Sequence, residues 1–126
     1  EKEMMLGYRS ELFFFFVFER YGVVYVATED GSSGTKGTVI DGIVANQIKP
    51  EVIYACGPTP MLRAIKQYAI EHNIECYVSL EEKMACGIGA CLGCVCKSKE
   101  VDIHTNIKNK RICKEGPIFN ALEVEI

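Results

Sequence analysis

The sequence has little that points to a membrane, to secretion or to nucleic acid. Its one strongly apolar run, Leu12 to Phe18, is seven residues long, whereas a membrane-spanning helix needs about 20 residues. Residues 1–20 show no signal-peptide pattern of charged, apolar and cleavage-site regions. The 14 Lys and Arg against 17 Asp and Glu leave a net charge of −3, so no broad basic field is available to bind a phosphate backbone. We expect a cytoplasmic protein with no membrane span and no nucleic-acid partner.

The sequence also lacks the low hydrophobicity and high net charge of disordered chains. Of its 126 residues 48% are hydrophobic, which is enough to bury a core without help from a metal or disulfides. The length fits one ordinary domain, or a small domain with an appendage. The chain starts at Glu1 and runs almost directly into structured sequence, so we expect it to be part of a longer polypeptide.

Short apolar strands alternate with amphipathic helices along residues 1–80. This repetition predicts an α/β fold with a parallel sheet that helices cover on both faces. The phenylalanines at 13–18 cover more than one helix face, so we expect that helix to be deeply buried or to face a missing neighbour. The predicted order is a strand at 4–6, a helix at 11–21 capped by Ser10, a strand at 23–27, a helix at 39–48, a strand at 52–55, a helix capped by Thr59 that reaches about His72, and a strand at 74–80.

The composition and the hydrophobic periodicity of the sequence change near residue 81. Residues 85–96 are small residues, glycines and thiols with no helical period, and short strand-like pieces follow at 95–97 and 110–113. We therefore predict two domains, an α/β domain over residues 1–80 and a small Cys-rich domain over residues 81–126.

Seven cysteines are the most informative feature of the sequence. An odd number without a signal peptide argues against a secreted disulfide scaffold and for a reducing compartment, where clustered thiols more often bind metal. Cys86, Cys91 and Cys94 are spaced C-x4-C-x2-C, and Cys113 follows after eighteen intervening residues. This is the plant-type spacing for a [2Fe–2S] cluster. The glycines between them allow tight turns whose N–H groups can hydrogen-bond to cluster sulfurs.

Zinc is the alternative to an iron–sulfur cluster. A structural zinc site generally shows two C-x-x-C-like pairs, and only Cys91 and Cys94 fit that pattern. Cys96 could replace a neighbouring ligand in a damaged or zinc-filled site. Cys76 alternates in an apolar strand, so we predict that it is a core residue.

Two loops follow predicted strands at the edge where open parallel sheets bind ligands. The first, Thr28 to Gly37, matches neither the G-x-G-x-x-G nor the Walker A pattern. It is either a plain flexible loop or a nucleotide contact made by N–H groups at a helix start. The second, residues 56–61, is either an ordinary βα turn or a nicotinamide-side loop, since Gly57 lets a flat ligand approach the backbone.

Together these motifs resemble those of a known family. Cys56-Gly57-Pro58-x-Pro60-Met61 resembles the signature of the NAD-binding domain of ferredoxin-reductase-like flavoproteins. With the cysteine block and the trailing Gly116-Pro117-x-Phe119, the chain is similar over most of residues 5–124 to electron-transfer subunits of class 1B, NAD-dependent dihydroorotate dehydrogenases. Members of that family carry an FAD-binding β-barrel before these two domains. The chain therefore resembles the C-terminal part of such a subunit, with a partial NAD-binding domain.

The resemblance implies an oxidoreductase subunit of pyrimidine biosynthesis. It implies that electrons pass from the FMN of a catalytic subunit, which oxidises dihydroorotate, through a [2Fe–2S] cluster and FAD to NAD+. It also implies a heterotetramer that contains both subunits in two copies, and a fragment that is inactive alone because most FAD contacts lie outside it. No catalytic residue is assigned. The residues carried over are Cys86, Cys91, Cys94 and Cys113 as cluster ligands, and Thr28, Glu29, Asp30, Gly31, Cys56, Gly57, Pro58 and Thr59 as cofactor contacts, with Arg9 as either a nucleotide contact or a solvated loop charge.

Sibling flavoproteins share this arrangement and have other partners. They include subunits of sulfide dehydrogenase, NADH-dependent ferredoxin–NADP reductase, sulfite reductase and sulfhydrogenase. Cys86, where some siblings carry an aspartate, favours the dihydroorotate enzyme. An alternative from a different class is a zinc-stabilised interaction module on an α/β domain with no redox role.

Overall fold

The computed structural model describes residues 2–126, and the chain divides into two compact units, Glu1–Lys49 and Pro50–Ile126. The first unit contains strands β1 (Glu3–Tyr8), β2 (Val23–Thr28) and β3 (Thr35–Lys36) and helices α1 (Phe15–Phe18) and α2 (Val39–Ala45). The second contains strands β4 (Val52–Cys56), β5 (Glu75–Ser79), β6 (Val95–Ser98), β7 (Asn109–Arg111), β8 (Ile118–Asn120) and β9 (Val124–Glu125) and helices α3 (Thr59–Glu71) and α4 (Ile112–Glu115).

The first unit is built on a parallel sheet in the order β1-β2-β3. β1 and β2 pair along their full lengths, from Glu3 opposite Val23 to Tyr8 opposite Thr28. β2 is rich in β-branched residues, which suit a pleated surface, and its second half is buried. Buried Val39 and Ile43 of α2 belong to the same core. Both main strands lie where the sequence predicts them, and β3 is a short addition inside the predicted loop.

The helix predicted over residues 11–21 is mostly absent. Only α1 is helical, because Phe14 at its N-cap position is left-handed with a φ of 57° and makes no side-chain cap hydrogen bond. Bulky aromatic residues lose side-chain freedom in helices, which weakens their helix propensity. The expectation of deep burial within the chain is also wrong, since the Phe14 and Phe16 side chains are 69% and 80% exposed.

The second unit contains two separate three-stranded sheets. One has the order β4-β5-β8, with β4 and β5 parallel and β5 and β8 antiparallel. The other has the order β7-β6-β9 and is antiparallel throughout. Because β8 pairs with β5, this unit is continuous across residue 81, and the compact division falls at residue 49 instead. The domain boundary near residue 81 remains a prediction.

Helix α3 buries one stripe of its surface. Leu62, Ile65 and Ala69 are buried at helical spacing, and Cys76 and Val78 are the buried, alternating residues of β5. The prediction that Cys76 is a core residue is confirmed by its 5% exposure. The predicted cap is displaced by one residue, because Pro58 occupies the N-cap position and Thr59 is already helical. No helix within residues 2–126 is long and apolar enough to cross a bilayer.

Helix α2 begins with a capping box. The Thr38 hydroxyl accepts a hydrogen bond from the Asp41 N–H at 3.3 Å, and the Asp41 carboxylate accepts one from the Thr38 N–H at 2.6 Å. That N–H, and then the Thr38 hydroxyl, lower the pKa of Asp41. Each such cap satisfies N–H groups that the helix leaves unpaired.

We expect Asp41→Asn to lower the midpoint of thermal unfolding by more at pH 7 than at pH 3. The folded pKa of Asp41 lies below its unfolded value, so its stabilisation is present above the unfolded pKa of about 3.9 and is lost as the pH falls through the folded value. Melting curves of both chains from pH 7 to pH 3, followed by circular dichroism, check this. A difference in unfolding midpoint that stays the same from pH 7 to pH 3 would contradict a stabilising role of the ionised Asp41 carboxylate.

Candidate metal centre

The four cysteines of the predicted cluster motif lie in two segments that β6 and β7 bring together. Cys86 and Cys91 belong to an irregular loop before β6, and Cys94 is buried directly at its start. β7 pairs with β6, with Val95 opposite Arg111, and the Ile112 N–H donates to the Cys94 carbonyl at 2.9 Å. Cys113 in α4 therefore lies beside Cys94.

The sulfurs are arranged as two pairs. The Cys91 thiol donates to Cys86 Sγ, and the Cys113 thiol donates to Cys94 Sγ. The Cys113 N–H also donates to Cys94 Sγ at 3.4 Å. Among residues 2–126, no three or more His, Cys, Asp or Glu side chains are grouped to hold a single metal ion. The arrangement is thus two thiol pairs rather than one tetrahedral set.

The loop backbone directs N–H groups at these sulfurs. The N–H groups of Ala90 and Cys91 each donate to Cys86 Sγ at 3.4 Å, and the Gly93 N–H donates to Cys91 Sγ at 3.4 Å. Gly87 and Gly89 adopt positive φ values of 69° and 83°, which favour glycine. As the sequence predicts, the glycines therefore shape a loop whose amides face sulfur.

The two pairs differ in electrostatics. Backbone N–H donors, first that of Cys91, lower the pKa of Cys86 to about 6. The hydrogen bond with the Cys94 side chain, followed by burial, raises the pKa of Cys113. A thiol must lose its proton to ligate a metal, so a cation placed among these sulfurs would relieve the repulsion that opposes ionisation of the second pair.

The remaining cysteines lie away from this arrangement. Cys96 is half-buried in β6, and burial raises the pKa of its thiol. Cys76 is buried in β5, where burial also raises its pKa. Cys56 is exposed at the end of β4. Within residues 2–126, no hydrogen bond joins any of these three side chains to the paired sulfurs.

A buried ion-pair cluster next to the loop was not predicted from the sequence. The Arg111 side chain is 6% exposed and pairs with Glu115 and with Asp102, the latter at 3.4 Å. Its Nη1 also donates to the Gly89 carbonyl at 3.2 Å. The sequence signal was available, because Arg111 and Glu115 flank Cys113 at the i, i+4 spacing of a helical ion pair.

The predicted nucleotide loop of the first unit is organised around Thr28. This residue is fully buried, and its hydroxyl donates to the Ser33 carbonyl at 2.7 Å and accepts from the Ser33 N–H at 3.2 Å. Asp30 is exposed and accepts a hydrogen bond from the Ser32 N–H at 2.9 Å. The Ser32 side chain and then its N–H lower the pKa of Asp30. Glu29 and Gly31 are exposed. The loop therefore exposes polar groups while the Thr28 and Asp30 hydrogen bonds hold its backbone in place.

The second predicted loop, residues 56–59, lies between β4 and α3 in the other unit and is exposed throughout. Pro58 at the N-cap position makes no side-chain cap hydrogen bond. The Leu62 N–H already bonds to the Pro58 carbonyl at 3.1 Å. The N–H groups that precede it at the helix start are the ones that remain for a ligand.

Comparison with known proteins places the site in a family context. Residues 81–125 match the family model described as the iron–sulfur cluster binding domain of dihydroorotate dehydrogenase B. A protein of Caldanaerobacter subterraneus subsp. tengcongensis named dihydroorotate dehydrogenase B (NAD(+)), electron transfer subunit, is 46% identical over 119 residues, which are 94% of this chain and 47% of that protein. A Fusobacterium nucleatum protein of the same name is 44% identical over 129 residues, covering 98% of this chain and 47% of the relative.

A solved structure is also similar. A chain from the structure of an NADH-dependent reduced ferredoxin–NADP oxidoreductase, reported for flavin-based electron bifurcation, superposes with a TM-score of 0.82 at 27% identity. The match covers 98% of this chain and 44% of that one. The resemblance drawn from the motifs is confirmed by these relatives, and the chain spans about half the length of the curated relatives it matches.

Proposed function

Since residues 81–125 belong to the iron–sulfur cluster binding domains of dihydroorotate dehydrogenase B and the whole chain is related to its electron transfer subunits, we propose that this chain is the corresponding part of such a subunit. Its activity is then that of an oxidoreductase component that relays electrons between a dihydroorotate-oxidising partner and NAD+. The partner that this role requires is a catalytic subunit with FMN, and the part of the subunit outside this chain would hold FAD.

The observation that carries the proposal is the pairing of the four cysteines, in which the Cys91 N–H donates to Cys86 Sγ and the Cys113 N–H donates to Cys94 Sγ, each at 3.4 Å. A [2Fe–2S] cluster takes four cysteines, two on each of its irons. Two thiol pairs in front of a loop rich in N–H donors fit that ligand set better than a single tetrahedral zinc. The cluster supplies one-electron transfer, which links flavins that each exchange electrons one at a time.

The chain's own residues then have separate tasks. The four cysteines hold the cluster, and the N–H groups of Ala90, Cys91 and Gly93 stabilise negative charge on the sulfurs. The Thr28–Gly31 and Cys56–Thr59 loops are proposed to bind NAD, the first with backbone and carboxylate groups, the second with free N–H groups at the start of α3. Arg9 contributes only its carbonyl, which accepts a hydrogen bond from Asp30 at 3.4 Å, and this favours its interpretation as a loop residue.

Metal and sulfide analysis of the chain purified without oxygen tests the proposal. We expect about two irons and two acid-labile sulfides per chain and a reddish-brown spectrum that bleaches on addition of dithionite. A colourless chain with one zinc would overturn the electron-transfer role. A metal-free chain is treated with iron and sulfide under reducing conditions, and failure to form a cluster then would also overturn it.

A second candidate is a subunit of a ferredoxin–NADP oxidoreductase, which the structural likeness favours. Its identity of 27% is well below the 46% of the dihydroorotate dehydrogenase relative. Co-expression with each class of partner separates the two. The proposed function predicts a stable complex with an FMN-containing dihydroorotate dehydrogenase subunit and dihydroorotate-dependent bleaching of the cluster within it.

A further inference from the structure

We propose that Arg111 is a positioning residue for the cluster, which it serves by orienting the Gly89–Ala90 peptide so that the Ala90 N–H faces Cys86 Sγ. The inference rests on the proposed iron–sulfur function and assigns a role to a residue that is not itself a ligand. It predicts that Arg111 sets the reduction potential of the cluster through one peptide group.

The geometry of a trans peptide is the first step. The carbonyl of Gly89 and the N–H of Ala90 belong to one planar unit and point in opposite directions. Arg111 Nη1 donates to the carbonyl at 3.2 Å, and the N–H donates to Cys86 Sγ at 3.4 Å. The guanidinium and the sulfur therefore hold the same peptide from its two sides.

The rigidity of the guanidinium is the second step. Arg111 Nε lies 3.0 Å from Glu115 Oε1, and Nη2 pairs with both Glu115 and Asp102. Asp102 is itself fixed by the N–H and hydroxyl of Thr105, both at 2.9 Å. Because the planar guanidinium of Arg111 is held by two carboxylates, it has one orientation available. Its remaining donor can therefore fix the loop.

The need for an external anchor is the third step. Gly89 is buried but has a positive φ of 83°, and glycine exchanges readily between positive and negative φ. Without Arg111 the peptide could rotate and turn its carbonyl oxygen toward the sulfur. Hydrogen bonds to the sulfurs stabilise the reduced, more negative cluster. Loss of the anchor should therefore lower the reduction potential.

The test uses the cluster-loaded chain and a charge-balanced double variant, Arg111→Met with Glu115→Gln. This change leaves the net charge of the chain unaltered and removes the donor to Gly89. We expect the equilibrium constant for reduction to fall about tenfold, which is about 59 mV for a one-electron couple. A spectroelectrochemical titration measures the midpoint potential, and electron paramagnetic resonance of the reduced cluster reports altered g values.

Two single variants separate positioning from charge and from folding. Lys114→Gln removes a positive charge near the loop. The Lys114 side chain lies against Gly89 but, among the described residues, makes no hydrogen bond to the loop. We expect this variant to shift the reduction potential by less than about a third of the shift in the double variant. Arg111→Lys keeps the charge but not the planar fork, and we expect a lowered potential. If the double variant holds no cluster, the Arg111→Lys variant becomes the test. A wild-type reduction potential and a wild-type spectrum in Arg111→Lys would then overturn the proposal.

Other results also distinguish this inference from the proposed function. An equal shift in Lys114→Gln and the double variant would show that loss of a cation beside the loop is enough, without loss of the Arg111 hydrogen bond to Gly89, and would overturn the positioning role. An unchanged potential in the double variant would do the same. In both cases the wild-type chain still holds its cluster, whereas a wild-type chain that cannot form one contradicts the proposed function itself.

Discussion

Replacing any one of Cys86, Cys91, Cys94 or Cys113 with serine is expected to cut bound iron and sulfide to less than about a fifth of the wild-type content of about two each per chain. Each substitution removes one member of a sulfur pair, and a serine hydroxyl is a far weaker ligand for iron than a thiolate. Iron and acid-labile sulfide assays on chains purified without oxygen, together with the visible spectrum, measure the loss.

Cys96→Ser is the matched control, since it makes the same chemical change two residues after Cys94. We expect wild-type iron in this variant, because Cys96 lies in β6 and, among the described residues, makes no hydrogen bond to the paired sulfurs. Cys94→Ser with normal iron, and loss only when Cys96→Ser is added, would show that Cys96 substitutes as a ligand. Normal iron in all four single variants would refute the assignment.

Gly34→Ala should destabilise the first unit by about 3 kcal/mol or more. Gly34 has a φ of 63°, and left-handed backbone costs a residue with a Cβ about 1–2 kcal/mol. The new methyl group would also overlap the backbone carbonyl of Val26, and overpacking of this kind adds about 1–3 kcal/mol. Urea denaturation followed by circular dichroism measures the change in the free energy of unfolding.

Gly31→Ala provides the comparison within the same loop. Its φ of 77° imposes the same left-handed cost, but its added Cβ would meet only the flexible Lys36 side chain, at 3.0 Å. We expect a loss of about 1 kcal/mol. NADH titration of both variants then tests the proposed nucleotide loop, since Gly34→Ala should weaken binding more. Equal losses of stability in the two variants would contradict the role of the Val26 contact.

The candidate site was predictable from sequence because its chemistry is local. The C-x4-C-x2-C spacing places three sulfurs on one short loop, and glycines between them allow the positive φ values that turn amides toward sulfur. The position of Cys113, the fourth predicted ligand, beside Cys94 depends on the register of β6 with β7, which spacing alone does not determine. The role of Arg111 was missed for a related reason. Glu115 follows it at i+4, but Asp102 and Gly89 are brought to Arg111 only by the folded chain.

The fold was predictable where hydrophobic pattern and turn residues agreed. β1, β2, β4, β5, α2 and α3 lie within a few residues of their predicted positions. The prediction failed at residues 11–21, where seven apolar side chains in a row carried no periodicity to define one face of a helix. There Phe14 takes a left-handed conformation, and aromatic edges meet one another, as between Tyr8 and Phe13 at a ring-centroid distance of 4.9 Å.

The order of the elements also bears on how the protein is made. Strands β8 and β9, which complete the two sheets of the second unit, follow Cys113 in the chain. At a synthesis rate of about 5–20 residues per second, a ribosome produces both strands within about 0.6–2.4 seconds of that cysteine. Both sheets can therefore be complete soon after the last of the four cysteines is synthesised, while Cys91 remains exposed in the folded unit. The proposed cluster would then be assembled on a unit whose strands have all been synthesised.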